Sequence, residues 1–160
     1  MPPTWPDATA RSDHNPERDV LIARFQAETG IDVAMVDRLV RAFYTRARDD
    51  EMIGPVFNTH VPDWEAHFRK LTDFWSSVTL MSGRYHGQPM RAHFPLGLNT
   101  LHFARWLALF EQTAKEVCPP AAAAAFIERA QRIAQSMAMG MAVARGELPV
   151  RRPPSSQQPN

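Results

Sequence analysis

Most of the features that announce a function are missing from this chain. It has a single cysteine, Cys118. That excludes an internal disulfide and any CxxC metal site, and it suits a reducing compartment, so the cytoplasm is expected. No apolar run approaches the roughly 18 residues of a membrane-spanning helix, and no membrane partner is expected. The opening stretch, MPPTWPDATARSDHNP, has no basic segment followed by an apolar one, so it does not read as a secretory signal. The formal net charge is only +1, too little for a broad field that would favour nucleic acid. Neither GPVF nor SGRYHG supplies a GxGxxG pattern, which leaves no flavin or nicotinamide fingerprint. No segment alternates with period two for long enough to be a strand.

What is present reads as one all-α domain. A chain of 160 residues can bury a single core and is too short for two ordinary ones. Proline crowds both ends with little apolar material beside it. Residues 1–15 and 147–160 are therefore expected to be disordered tails around a domain over 16–146. Asn15 followed by Pro16 starts a first helix over 16–30, with Val20, Leu21, Ala23 and Phe25 as its apolar side and Gly30 as its stop. Asp32 caps a second helix, whose apolar set is Val33, Val36, Leu39, Val40, Phe43, Tyr44 and Ala47. MIGPVF breaks the pattern at Gly54-Pro55. Pro62-Asp63 opens the next helix, with an inward stripe of Trp64, His67, Leu71, Phe74, Trp75 and Val78 and an end at Ser82-Gly83. MRAHF allows one or two helical turns before Pro95. Asn99 or Thr100 caps a helix to about 117, and Pro119-Pro120 ends it. The last helix, from Ala121 to about Arg145, buries Phe126, Ala130, Ile133, Met137 and Met141, and its SMAMGMA stretch reads as core filler.

Two histidines raise a question. His67 sits on a stripe of bulky apolar residues, and His93 lies in a short segment between two helix breakers. Either can be a core histidine hydrogen-bonded to backbone, since an unpaired buried imidazole is costly. A zinc site is disfavoured, because there is no HxxxH, HExxH or CxxC. Two inward histidines on separate helices, amid aromatics, suit a flat apolar cofactor with a metal at its centre, and haem is such a cofactor. Without CxxCH the haem would not be covalently attached. His14, His60 and His86 read as exposed, and His102 as a surface or capping residue. A helical interaction module without haem stays open at this point.

Four blocks in order, FYTRARDDEMIGPVF, WEAHFRKLTDFW, YHGQPMRAHF and HFARWLALFEQT, resemble the group III truncated haemoglobins. The likeness spans roughly residues 33–145 and leaves most of the first helix and both tails outside. It implies a truncated globin fold, a two-over-two helical sandwich around haem b, here with an extra N-terminal helix. The resemblance makes His93 the proximal iron ligand. It makes Tyr44, His67 and Trp106 the distal residues, Phe57 the ring packed on the porphyrin and Leu71 the apolar residue one turn after the distal histidine. Phe74 joins them as a cofactor contact, and Lys70 and Arg91 are assigned to the haem propionates. A five-coordinate iron binding dioxygen and other diatomic gases follows from the likeness. The alternative is an enzyme, a nitric oxide dioxygenase or a peroxidase-like protein, fed by an external electron donor protein.

Overall fold

A computed structural model describes residues 15–85, 87, 89, 93 and 96–147. The expected tails and the assignment of Arg91 fall outside the described residues, apart from Asn15 and Glu147. Six bounded helices follow one another among the described residues: α1 Pro16–Thr29, α2 Val33–Ala47, α3 Gly54–His60, α4 Trp64–Leu80, α5 Thr100–Val117 and α6 Pro120–Ala144. Pro89 and His93 are also helical, and no strand occurs among the described residues. No helix among them is long and apolar enough to cross a membrane.

The helix starts are built from local chemistry. Each helix leaves its first N–H groups without partners, and a short polar side chain can satisfy them. Asn15 accepts from the N–H of Glu17 and Arg18, Asp32 from Met35, and Asp63 from Ala66. Asn99 and His102 cap α5 reciprocally: Asn99 Oδ1 accepts the N–H of His102, and His102 Nδ1 accepts the N–H of Asn99. α2 already ends at Ala47, with Arg48 as its C-cap, so Gly54-Pro55 is not the stop that the sequence predicts; the pair instead begins α3. Proline in a first turn has no N–H to lose, and Asp50 accepts the N–H groups of Met52 and Ile53 just ahead of it. Glycine is needed at 54, because a Cβ there would stand 2.5 Å from the Arg48 carbonyl oxygen.

The fold is two packed pairs. α2 lies on α4, α5 lies on α6, and the pairs meet mainly along α2–α5 and more lightly along α4–α6. This is the two-over-two all-α globin arrangement that the resemblance implies. A run of aromatic rings threads all four helices. Trp106 stacks on Phe110 at 5.5 Å, and Phe110 stacks on Trp75 at 4.9 Å. Phe126 meets Trp75 edge-on, and Phe43 meets Phe110 edge-on at 5.2 Å. Such offset and edge-on pairs add about 0.5–1.5 kcal/mol each beyond the area they bury.

Four further expectations are corrected. The apolar side of α1 is not buried: Val20 and Leu21 are 66% and 61% exposed, and Ala23 is exposed. Only Phe25 seats against the body, under the Arg129 guanidinium at 4.6 Å. The charges of Arg18, Asp19 and Arg24 interrupt the apolar stripe, and besides Phe25 the helix is held by Arg18, which donates to the Met81 carbonyl at 2.7 Å. In SMAMGMA, Met137 and Met141 are buried but Met139 is 66% exposed. On α4 the tightly packed face is Phe68, Thr72, Trp75, Ser76 and Thr79, rotated from the predicted stripe. The helix also stops at Leu80, with Met81 in the left-handed region at φ 52°.

Candidate functional site

The stripe that α4 withholds from the core faces a cavity instead. His67, Lys70, Leu71 and Phe74 line it, and their three- and four-residue spacing sets them along one face. Tyr44 of α2, Phe57 of α3 and Trp106 of α5 line the same cavity, and so does His93. Its volume is about 590 Å³, within the roughly 300–1,000 Å³ usual for cofactor sites. Every described residue singled out for a site in the sequence therefore meets in one place.

On one side the polar atoms are ordered by their neighbours. Tyr44 is buried, and its ring packs edge-on against Phe43, Phe57 and His67. Burial pushes its phenol up to about 12, partly offset by the Trp106 side chain hydrogen-bonded to it. An indole N–H can only donate, so in a hydrogen bond between the two Trp106 is the donor and the Tyr44 oxygen the acceptor. The Tyr44 O–H hydrogen is then left to point elsewhere. His67 sits between Tyr44 and Trp64, edge-on to both, at 5.9 and 5.7 Å. Its imidazole is pulled below the ordinary histidine value, first by burial and then by the charge of Lys70. His67 is accordingly neutral at pH 7, with one N–H to offer.

His93 contributes the opposite feature. Its Nδ1 lies 2.5 Å from the carbonyl oxygen of Pro89, one helical turn back. A carbonyl can only accept, so Nδ1 carries the hydrogen and Nε2 keeps its lone pair. That is the tautomer a metal needs, with the ring oriented by a backbone acceptor. An apolar cavity, a lone-pair nitrogen and a facing pair of donors fit a flat apolar group with a metal at its centre. No cluster of three or more histidine, cysteine, aspartate or glutamate side chains able to hold a bare metal ion occurs among the described residues.

Several lining residues escaped the sequence reading. His60 is exposed as predicted, yet it lines the cavity, its Nδ1 donating to the Val56 carbonyl at 2.8 Å. His102 is a capping residue as predicted and lines the cavity as well. Ile133 and Met137 of α6 face the cavity. Tyr85 does too, and burial pushes its phenol up. Nothing in the periodicity distinguishes Tyr85, because it lies outside any helix, in the segment that follows α4.

Comparison with known proteins places this geometry. The family model described as bacterial-like globin matches residues 28–139. Almost all of α1 precedes the match. A curated protein, the group 3 truncated haemoglobin ctb of Campylobacter jejuni, is 33% identical over 104 residues, which are 62% of this chain and 82% of that protein. Among solved structures, the crystal structure of the group III truncated haemoglobin from Campylobacter jejuni is similar with a TM-score of 0.66 at 30% identity. That alignment covers 69% of this chain and 91% of the other.

Proposed function

Because the chain belongs to the bacterial-like globin family, as a group III truncated haemoglobin, we propose that it holds haem b non-covalently on His93 and presents diatomic gases to Tyr44 and His67. Membership of the family carries haem binding and the binding of gases such as dioxygen; the residue roles are our reading. One observation supports it most: the Nδ1–H of His93 is tied to the Pro89 carbonyl, which leaves Nε2 facing the cavity. When bound, haem supplies an iron with one open position for a gas.

The chain's own residues do the rest. Phe57, Leu71, Phe74 and Ile133 give the cavity apolar walls that exclude water. Lys70, exposed at the mouth, is placed to neutralise a carboxylate on the cofactor's edge. Dioxygen gathers negative charge when it binds ferrous iron, and donors aimed at that charge retain it. The Tyr44 hydroxyl supplies one such donor, oriented by Trp106, and neutral His67 supplies another.

Retention favours a second reading over rapid delivery. A held dioxygen can meet nitric oxide, and with one electron the pair becomes nitrate. The chain carries no flavin or nicotinamide fingerprint, so the electron would come from an external donor protein. We place the reaction in the cytoplasm, where the buried Cys118 thiol stays reduced.

Adding hemin to the purified protein tests the first reading. A Soret band should appear, and the ferrous form should be five-coordinate. His93→Ala should lose the cofactor or keep it only when imidazole is added. Unchanged uptake and spectrum in His93→Ala would refute the role of His93. For the second reading, nitric oxide consumption continuing past one equivalent with a reductase supports an enzyme, and a halt after one equivalent removes it.

A further inference from the structure

Tyr85 carries no role in the reading above, yet four features of the structure bring it to the cavity. Its backbone N–H donates to Ser77 Oγ at 3.1 Å, which pins the turn against the last part of α4. Ser77 and Ser76 both reach the hydroxyl of Ser82, at 3.3 and 2.8 Å, so the turn is held to α4 by a chain of hydroxyls. The Tyr85 ring meets Phe74 edge-on at 5.2 Å. And Gly87 makes room for it: a Cβ at 87 would overlap the phenol oxygen and stand 3.0 Å from Cε2. The neighbours Ser82, Gly83 and Arg84 are exposed, while Tyr85 is half-buried and lines the same cavity as Pro89 and His93.

We propose that Tyr85, seated on Gly87, is a cofactor-retaining residue. Its ring closes the wall of the cavity between α4 and the segment that carries His93. The proposal rests on the haem-binding reading and adds to it a residue and a glycine whose purpose is space. The ring shields one edge of the bound cofactor from water, braced between Phe74 and the open position at Gly87. Water reaching the bond between His93 and the cofactor is what this wall resists.

The test is haem loss from the hemin-loaded protein to excess apomyoglobin, followed by absorbance. Tyr85→Ala should lose haem about tenfold faster, the scale of one aromatic contact at a desolvated site. Tyr85→Phe should stay within about twofold of the wild type, because the ring and not the hydroxyl makes the wall. Gly87→Ala should also speed loss, since it displaces the ring. Combined with Tyr85→Ala it should add little, because the residue it displaces is gone. The absorbance of freshly loaded variants should match the wild type, since His93 is untouched. Wild-type loss rates in Tyr85→Ala would overturn the proposal while leaving haem binding intact. Full compounding of Gly87→Ala with Tyr85→Ala would overturn the role of Gly87. If Tyr85→Ala does not fold, the comparison of Gly87→Ala with Tyr85→Phe decides: loss at the wild-type rate in Gly87→Ala overturns the proposal. A wild-type protein that takes up no hemin overturns the haem reading and this proposal together.

Discussion

Replacing Tyr44 with phenylalanine removes one oxygen atom from a buried ring and leaves its packing against Phe43, Phe57 and His67 in place. On the proposed reading two hydrogen bonds are at stake: one between the hydroxyl and the Trp106 indole that lowers the phenol value, and one offered to the gas. A neutral hydrogen bond contributes about 0.5–1.5 kcal/mol net. Dioxygen release should therefore quicken about two- to twelvefold, at roughly 1.4 kcal/mol per factor of ten. The indole N–H loses its acceptor, but Trp106 is only half-buried. Water can take the vacated place, so the stability loss should sit near the low end of about 1–3 kcal/mol. The assay is stopped-flow displacement of dioxygen by carbon monoxide from the reduced protein. Because the Tyr44 phenol is pushed up to about 12, its contribution should be flat between about pH 6 and 10. Trp106→Phe supplies the decisive comparison. If Trp106 acts by orienting Tyr44, the double variant should release dioxygen no faster than Tyr44→Phe alone. Additive effects would refute the relay and mean that the indole reaches the gas itself. An unchanged rate in Tyr44→Phe would refute the donor role altogether.

Three further outcomes test the scaffold. Arg105, at 2.6 Å, holds the Asp50 carboxyl below the usual carboxylate range, helped by the N–H groups of Ile53 and Met52. A depressed folded-state value means that this stability is present at neutral pH and lost as pH falls through that value. Asp50→Ala should thus cost about 1 kcal/mol at pH 7 and flatten the acid side of a plot of urea midpoint against pH; an unaltered acid side would contradict the pairing. Met81 has φ 52°, and a side chain in the left-handed region costs about 1–2 kcal/mol. Met81→Gly should raise the melting temperature of the hemin-loaded protein by a few degrees, roughly 2–4 °C, and a lower value would show that the Met81 side chain does more than occupy the cap. Phe110, between Trp75 and Trp106, is fully buried, so Phe110→Ala should cost about 3–5 kcal/mol in chemical denaturation. A loss under about 1 kcal/mol would mean the stack relaxes to fill the gap.

Much of the fold was legible because its signals are local. Asn15, Asp32, Asp63 and Asn99 each mark a helix start by satisfying N–H groups within three residues. The four sequence blocks that resemble group III truncated haemoglobins pointed to the right family, and Tyr44, His67, His93 and Trp106 do line one cavity. The packed face of α4 was not legible, and the reason is polar disguise. Thr72 and Ser76 look like surface residues in a sequence, but both are buried, with Thr72 bonded to Asp37 and Ser76 to the Asp73 carbonyl and to Ser82. Their hydroxyls have partners, so burying them is not penalised. The bulky stripe of His67, Leu71 and Phe74 looked like core because a cavity lining and a core have the same composition.

By itself, the order of residues determined where most helices begin, which chemistry is available and which is excluded, because capping, helix periodicity and the absence of cysteine pairs act over a few neighbouring positions or over composition alone. Tertiary structure decided which apolar face meets a helix and which meets the cavity. It also set Trp106 and Tyr44 in one cavity, and it brought the Tyr85 ring against the position of Gly87. Those outcomes depend on distances between segments far apart in the chain, and only packing sets such distances.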